Sequence, residues 1–159
     1  MKVGDHPSSS SLPPATVPLH QLTNRADAAR LYGNFASENG GYSHSSKWIY
    51  DGLVCRIWEK SESGMVPLRR LYSPKSQTYG FIANEESTNW WIEHKEARVE
   101  YTVGYVYRSD SPCPEGAVPL YGACEKRIGR FFTLSERERD LCVRLGAMDL
   151  GIIGYVAPP

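Results

Sequence analysis

The chain contains no run of about eighteen apolar residues, the length needed to cross the hydrocarbon of a bilayer, so no membrane span is expected. It has no excess of either charge, because 18 Lys and Arg face 18 Asp and Glu. Proteins that grip phosphate backbones need surplus basic side chains, since counterion release supplies most of their affinity. Nucleic acid and anionic membrane surfaces are therefore not expected partners. Catalytic signatures are missing too: no Gly-x-Ser-x-Gly elbow, His-Glu-x-x-His pair, P-loop or Gly-x-Gly-x-x-Gly turn occurs. The opening Met1 to His6 lacks the apolar stretch of a signal peptide, which leaves a cytoplasmic location open.

Histidine and cysteine are sparse, four of each. His6, His20, His44 and His94 are scattered, and Cys113, Cys124 and Cys142 lack the close paired spacing of zinc sites. Acidic residues form no tight calcium loop. No metal, cofactor or catalytic residue is expected. Cys142 with His94 is conceivable as nucleophile and base, but a helical thiol is far more often a small packing group. The cysteines, Cys55 included, allow three disulfide pairings in an oxidising compartment, with Cys113 and Cys124 flanking a short Pro/Gly-rich segment. Free thiols are at least equally expected.

Aromatic side chains are plentiful by contrast: four Trp, ten Tyr and four Phe in 159 residues. Such rings bury large areas, and this length suits one domain with a sizeable core. Residues 1–16, rich in Ser and Pro, bury too little to offset ordering entropy and are expected to form a flexible tail.

Residues 17–159 divide into three copies of one unit, 17–65, 66–117 and 118–159. Val-Pro-Leu recurs at Val17-Pro18-Leu19, Val66-Pro67-Leu68 and Val118-Pro119-Leu120. An aromatic follows each opening Val at 15, 15 and 13 residues, as Tyr32, Phe81 and Phe131. A closing strand comes 23 residues after each aromatic, centred on Cys55, Gly104 and Gly154. The period of roughly 40–50 residues is that of repeat architectures.

Proline at the start of a strand needs no amide donor, so Val-Pro-Leu reads as a strand opening. Ser73-Pro74-Lys75-Ser76 reads as a turn, and Tyr79 to Ile82 as the return strand of a hairpin. A short helix comes next in two copies. Ser135 with Glu138 forms a capping box there, and Leu141 and Leu145 are expected to supply its buried stripe. Asn84 caps the other helix, which is expected to bury some of Trp90, Trp91 and Ile92. Ser37 to Gly41 carries paired glycines that make a helix unfavourable in the first copy. Glu59 to Met65 and Arg108 to Ala117 read as linkers. Small residues at the closing-strand centre, Gly104 and Gly154, point to close backbone approach. The expected fold is α+β and β-dominated, hairpin then short helix then strand, thrice over, with pseudo-threefold symmetry of which a propeller-like closure is one form.

Val66 to Lys75, Phe131 to Asp140 and Gly154-Tyr155-Val156 together resemble a repeat family of secreted bacterial and fungal proteins. It is classed as a domain of unknown function and is often appended to hydrolases. The family pattern often has a histidine just before the second-strand aromatic, where this chain has Gly80 and Arg130. The resemblance implies an accessory or binding module on an extracellular surface.

Aromatics recur at related strand positions, and rings of this kind stack on sugar faces while polar neighbours take the hydroxyls. Most such rings nevertheless pack cores and seams. Candidate ligand contacts are Tyr72, Tyr105, Tyr107, Tyr155 and Arg130. The leading expectation is a non-catalytic, lectin-like module for a glycan or cell-surface component. The alternative is a protein-interaction domain, a secreted effector or hydrolase inhibitor, working through Ser109 to Pro114. A hydrolase with an unfamiliar site is the weaker third reading. The alternating charges of Glu136 to Asp140 are read as a solvated helix face.

Overall fold

A computed structural model describes residues 15–34, 47–126 and 129–159. The residues expected to form a tail, apart from Ala15 and Thr16, and the glycine-paired segment Ser37 to Gly41 lie outside these residues. Among the described residues strands dominate, with two helices. Each Val-Pro-Leu lies at or near the start of a strand: β1 (Thr16–Asn24), β4 (Met65–Ser73) and β7 (Val118–Glu125). The return strands are β2 (Arg30–Gly33), β5 (Thr78–Ile82) and β8 (Gly129–Thr133). The closing strands are β3 (Trp48–Trp58), β6 (Arg98–Tyr107) and β9 (Met148–Val156). Helices α1 (Glu85–Lys95) and α2 (Glu136–Arg144) precede β6 and β9.

Among the described residues all pairings are antiparallel and belong to one nine-stranded sheet. In each group the opening strand lies between its return and closing strands. Leu19 pairs with Cys55, Leu68 with Gly104 and Leu120 with Gly154. The ladder slips just after each of these leucines and again two residues on. Short bridges join the closing strands, at Trp58 with Tyr105, Tyr107 with Tyr155, and Arg56 with Ala157.

The expected close approach occurs at those bridges. A Cβ on Gly104 would lie 2.6 Å from Ile57 Cδ1 and 2.9 Å from the Trp58 carbonyl oxygen. One on Gly154 would lie 2.6 Å from the Tyr107 oxygen. Only a glycine lets the strands meet at these two points.

The main core gathers the inward residues of every group, among them Leu19, Leu68, Leu120, Ile57, Val106 and Val156. At its centre the rings of Tyr32, Phe81 and Phe132 pack together, with centroids 5.3, 4.8 and 6.3 Å apart. Phe132, rather than the expected Phe131, is the third ring. Gln21 pairs with Tyr32 and Arg70 with Phe81, and Phe132 has the matching partner, Gly122. The connection in the third hairpin brings the core aromatic one place later than its spacing indicated. A shift of one residue turns a side chain to the other face of a sheet. Phe131 is accordingly half-buried, with the Arg30 guanidinium 5.9 Å from its ring centre.

The helices differ in how they are held. Asn84 accepts from Ser87 N at 2.8 Å, as its capping role requires, and Trp91 is buried while Trp90 and Ile92 stay exposed. The Trp91 ring covers Gly80, where a Cβ would come within 2.9 Å of it. For α2 the apolar stripe is corrected: Leu141 is 49% exposed and Leu145 80% exposed, and the helix buries none of its residues. Polar contacts anchor it instead. Arg139 bonds Asp140 and Asp149 at 2.9 and 3.1 Å and lies 5.0 Å from the Tyr121 ring centre. Tyr121 also donates to Glu136 at 3.0 Å. The charged run is thus a docking face as well as a solvated one. Ser135 caps the helix by accepting from Glu138 N at 3.1 Å, while its own amide goes to Thr133 Oγ1 at 3.0 Å.

Candidate functional site

The hairpin ends of all three groups meet around a cleft of about 700 Å³. The first group contributes Asn24, Asp27, Arg30 and Trp48, the second Tyr72, Gln77 and Tyr79, and the third Lys126. Local hydrogen bonds fix the walls. Asn24 Oδ1 accepts from Ala26 N at 2.8 Å, Asp27 Oδ1 accepts from Ala29 N at 3.0 Å, and Ala28 takes the left-handed φ of 63°. Side-chain oxygens of Asn and Asp commonly close turns in this way. Gln77 ends the second hairpin turn with φ 55°.

Aromatic faces in the cleft are braced by cations. Tyr72 and Tyr79 lie 5.0 Å apart, with Arg98 over Tyr72 at 5.6 Å. Arg70 stands between Tyr79 and Tyr101, at 5.4 and 4.5 Å, and bonds Glu100 at 2.8 Å. Lys47 is 5.8 Å from the Trp48 ring centre. Arg30 donates to Thr23 Oγ1 and to the Ala28 carbonyl, each at 3.1 Å. Rings held in this fashion present a fixed apolar surface rimmed by donors and acceptors, the usual build of a small-molecule site. Among the described residues that line it, basic groups outnumber acids, with Arg30, Lys47 and Lys126 against Asp27.

The five sequence candidates do not converge. Tyr72 lines the cleft. Tyr105, Tyr107 and Tyr155 belong to a separate cluster where the closing strands bridge, around Trp58 and Ala157. Tyr107 is buried there, edge-on to Trp58 at 5.0 Å, and burial raises its pKa. Tyr105 and Tyr155 are half-buried beside it. Arg130 lies in a third place, a groove between the second and third groups. Arg30, Gln77 and Asn24 were not singled out in the sequence. A usable signal did exist for Arg30: it stands two residues before Tyr32, as Arg130 does before Phe132 and Tyr79 before Phe81.

The cysteines are all free, so Cys113 and Cys124 close no loop. Cys113 packs with the Trp58 cluster, and Cys55 is fully buried, which pushes its thiol up to about 12. Burial also raises the pKa of Tyr32 far above its ordinary value. His94 lies against Trp90 at 4.7 Å and His20 shares a hydrogen bond of 2.9 Å with the Tyr50 hydroxyl. Burial first, and the nearby Arg56 charge second, lower the pKa of His20. Among the described residues no group of three His, Cys, Asp or Glu side chains is placed to hold a metal ion. No helix of the described residues is long and apolar enough to cross a membrane.

Residues 11–157 match the family described as domain of unknown function DUF5648, and the chain belongs to that family. No curated protein and no solved structure matches the chain.

Proposed function

We propose that this DUF5648 domain is a non-catalytic, lectin-like module that binds a glycan in the cleft at its hairpin ends. The observation carrying this reading is the company kept by Trp48, Tyr72 and Tyr79: three rings in one cleft with Arg30, Asn24, Asp27 and Gln77. A sugar ring offers an apolar face for stacking and a perimeter of hydroxyls for those polar groups. Surplus basic charge favours glycans bearing carboxylates or sulfates. Location on an extracellular surface, as a module appended to another domain, fits that use.

We infer further that the chain is a triplicate arranged about a pseudo-threefold axis through the Tyr32, Phe81 and Phe132 rings. Support comes from the matching registers of the three groups, the paired ladder slips in each, and the bridges that link the closing strands. Units that cannot cover their own apolar faces gain stability by leaning on neighbours.

The test is a glycan array probed with the full chain, followed by titration of any hit with Tyr72→Ala and Trp48→Ala. Each substitution removes a stacking face and is expected to weaken binding about tenfold or more, equivalent to ~1.4 kcal/mol. A folded protein that binds no glycan on the array, or binds one equally well after both changes, would overturn the reading.

One observation favours a protein partner as the second reading. The loop from Arg108 to Pro114 is held in shape by Arg108 bonds to Asp110 at 3.1 and 3.2 Å and by Arg108 N to the Gly64 oxygen at 3.0 Å. A fixed exposed loop is a low-entropy contact element. Capture of one protein that survives Tyr72→Ala and is lost with Asp110→Ala would favour that alternative.

A further inference from the structure

In the groove between the second and third strand groups, a cation faces no carboxylate among the described lining residues. Arg130, on β8, is half-buried, and its Nε atom is buried without a hydrogen-bond partner among the described residues. Its cross-strand partner is Cys124, whose sulfur is a weak acceptor. Burial holds the Arg130 pKa below the ordinary arginine value. A guanidinium nonetheless stays charged and carries five N–H donors, and leaving the buried Nε–H without an acceptor is costly.

The groove holds about 180 Å³. Beside Arg130, its walls include the alkyl groups of Leu150 and Ile153 and the hydroxyl-bearing Ser87 and Ser109, and none of the described residues lining it is acidic. The counterpart groove, between the first and third groups, is built differently at matching places. Gly52 pairs with Gln21 and Gly151 with Gly122, which sets Asp51 and Leu150 in equivalent positions. Ser87 and Glu138 each stand three residues after a helix cap, donating to Asn84 and Ser135 respectively. The first groove is lined by both Asp51 and Glu138, while the second has an alkyl group and a hydroxyl in those places.

We propose that the Arg130 groove is a second binding site, distinct from the hairpin-end cleft, and that it takes a monocarboxylate with a short apolar body. One guanidinium balances one negative charge, and its planar fork matches the two oxygens of a carboxylate. Leu150 and Ile153 cover the alkyl part, while Ser87 and Ser109 complete the oxygen contacts. A dianion is disfavoured because Glu85 and Glu86 line the adjoining depression together with Asn84. The volume suits a small free acid or the acidic end of a larger ligand.

The test is an NMR titration of the full chain with isobutyrate, and with sulfate and chloride at matched ionic strength. It follows the Arg130 Nε–H and the Ser87 and Ser109 amides. Saturable shifts with isobutyrate are expected, about tenfold tighter than with sulfate. They are expected to vanish in Arg130→Gln. In Leu150→Asp the chain supplies its own carboxylate, so isobutyrate is expected to lose its effect while Arg130 Nε–H moves without ligand. Shifts that never saturate, that chloride reproduces, that sulfate matches, or that persist in Arg130→Gln would each overturn the proposal. Should Arg130→Gln fail to fold, the wild-type titration and Leu150→Asp decide alone. No glycan enters this experiment, so its failure is separate from failure at the cleft.

Discussion

The hydroxyl of Tyr32 accepts a hydrogen bond from the amide of Phe132, 3.0 Å away in space and one hundred residues on in the chain. The same hydroxyl donates to Gln21 Oε1 at 2.7 Å. A fully buried phenol thus joins the first hairpin to the third, beside the ring of Phe81 from the second.

Tyr32→Phe should keep the packing and lose the link. The Phe132 amide is then left without this acceptor, a loss expected to destabilise the fold by ~1–3 kcal/mol. Urea unfolding measures it; a midpoint unchanged from wild type would show that the hydroxyl contributes nothing.

Alkaline pH should unfold the protein through two buried acids. The Cys55 thiol is pushed from 9.0 to about 12 by burial, and Tyr32 is raised from 10.0 for the same first reason. Raised folded-state values mean that the unfolded chain releases these protons first. Their stabilising contribution is therefore complete below pH ~9 and is lost as pH climbs, at about 1.4 kcal/mol per pH unit for each group. Cys55→Ala should flatten the dependence between pH 9 and 10, where only the thiol of this pair responds. Urea midpoints taken from pH 8 to 11 in both proteins check the sign.

Thiol reagents should sort the cysteines. Cys113, Cys124 and Cys142 are partly exposed, whereas Cys55 is buried and held as the neutral thiol, the unreactive form. Timed alkylation with mass spectrometry should show Cys55 labelled last, and only as fast as the chain opens.

Gly154→Ala should be tolerated poorly. Its new methyl would meet a main-chain oxygen at 2.6 Å, which cannot move aside as a side-chain tip does. Overpacking of this kind costs about 1–3 kcal/mol. Thermal unfolding of the variant reads the effect, and wild-type stability would refute the close approach of β6 and β9.

The two helices should respond in opposite ways. Trp91→Ala empties the buried space over Gly80 and is expected to cost ~3–5 kcal/mol. Leu145→Ser changes a residue that is 80% exposed and should stay within about 0.5 kcal/mol of wild type. Equal effects in the two variants would contradict their placement.

Much of the strand plan was legible because its signals are local. Proline after the opening valine, the Ser73 to Ser76 turn, and caps at Asn84 and Ser135 act on neighbouring residues, and each appears where its chemistry requires. The small closing-strand centres were legible as well, since only a missing side chain explains glycine in a strand interior. Leu141 and Leu145 misled because helical spacing says which residues share a face and not whether anything covers it. Arg139, Tyr121 and Asp149 hold that helix instead, across ten residues and more of chain.

By itself, then, the sequence determined a β-rich chain with three proline-led strands, two capped helices and the family to which residues 11–157 belong. Tertiary structure alone decided that Phe132 supplies the third central ring, that Tyr107 is buried, and that Tyr72 and Arg130 lie in different hollows. The physical reason is range. Turns, caps and strand openings are settled within a few residues, whereas side-chain company depends on register and on strands that meet a hundred residues apart.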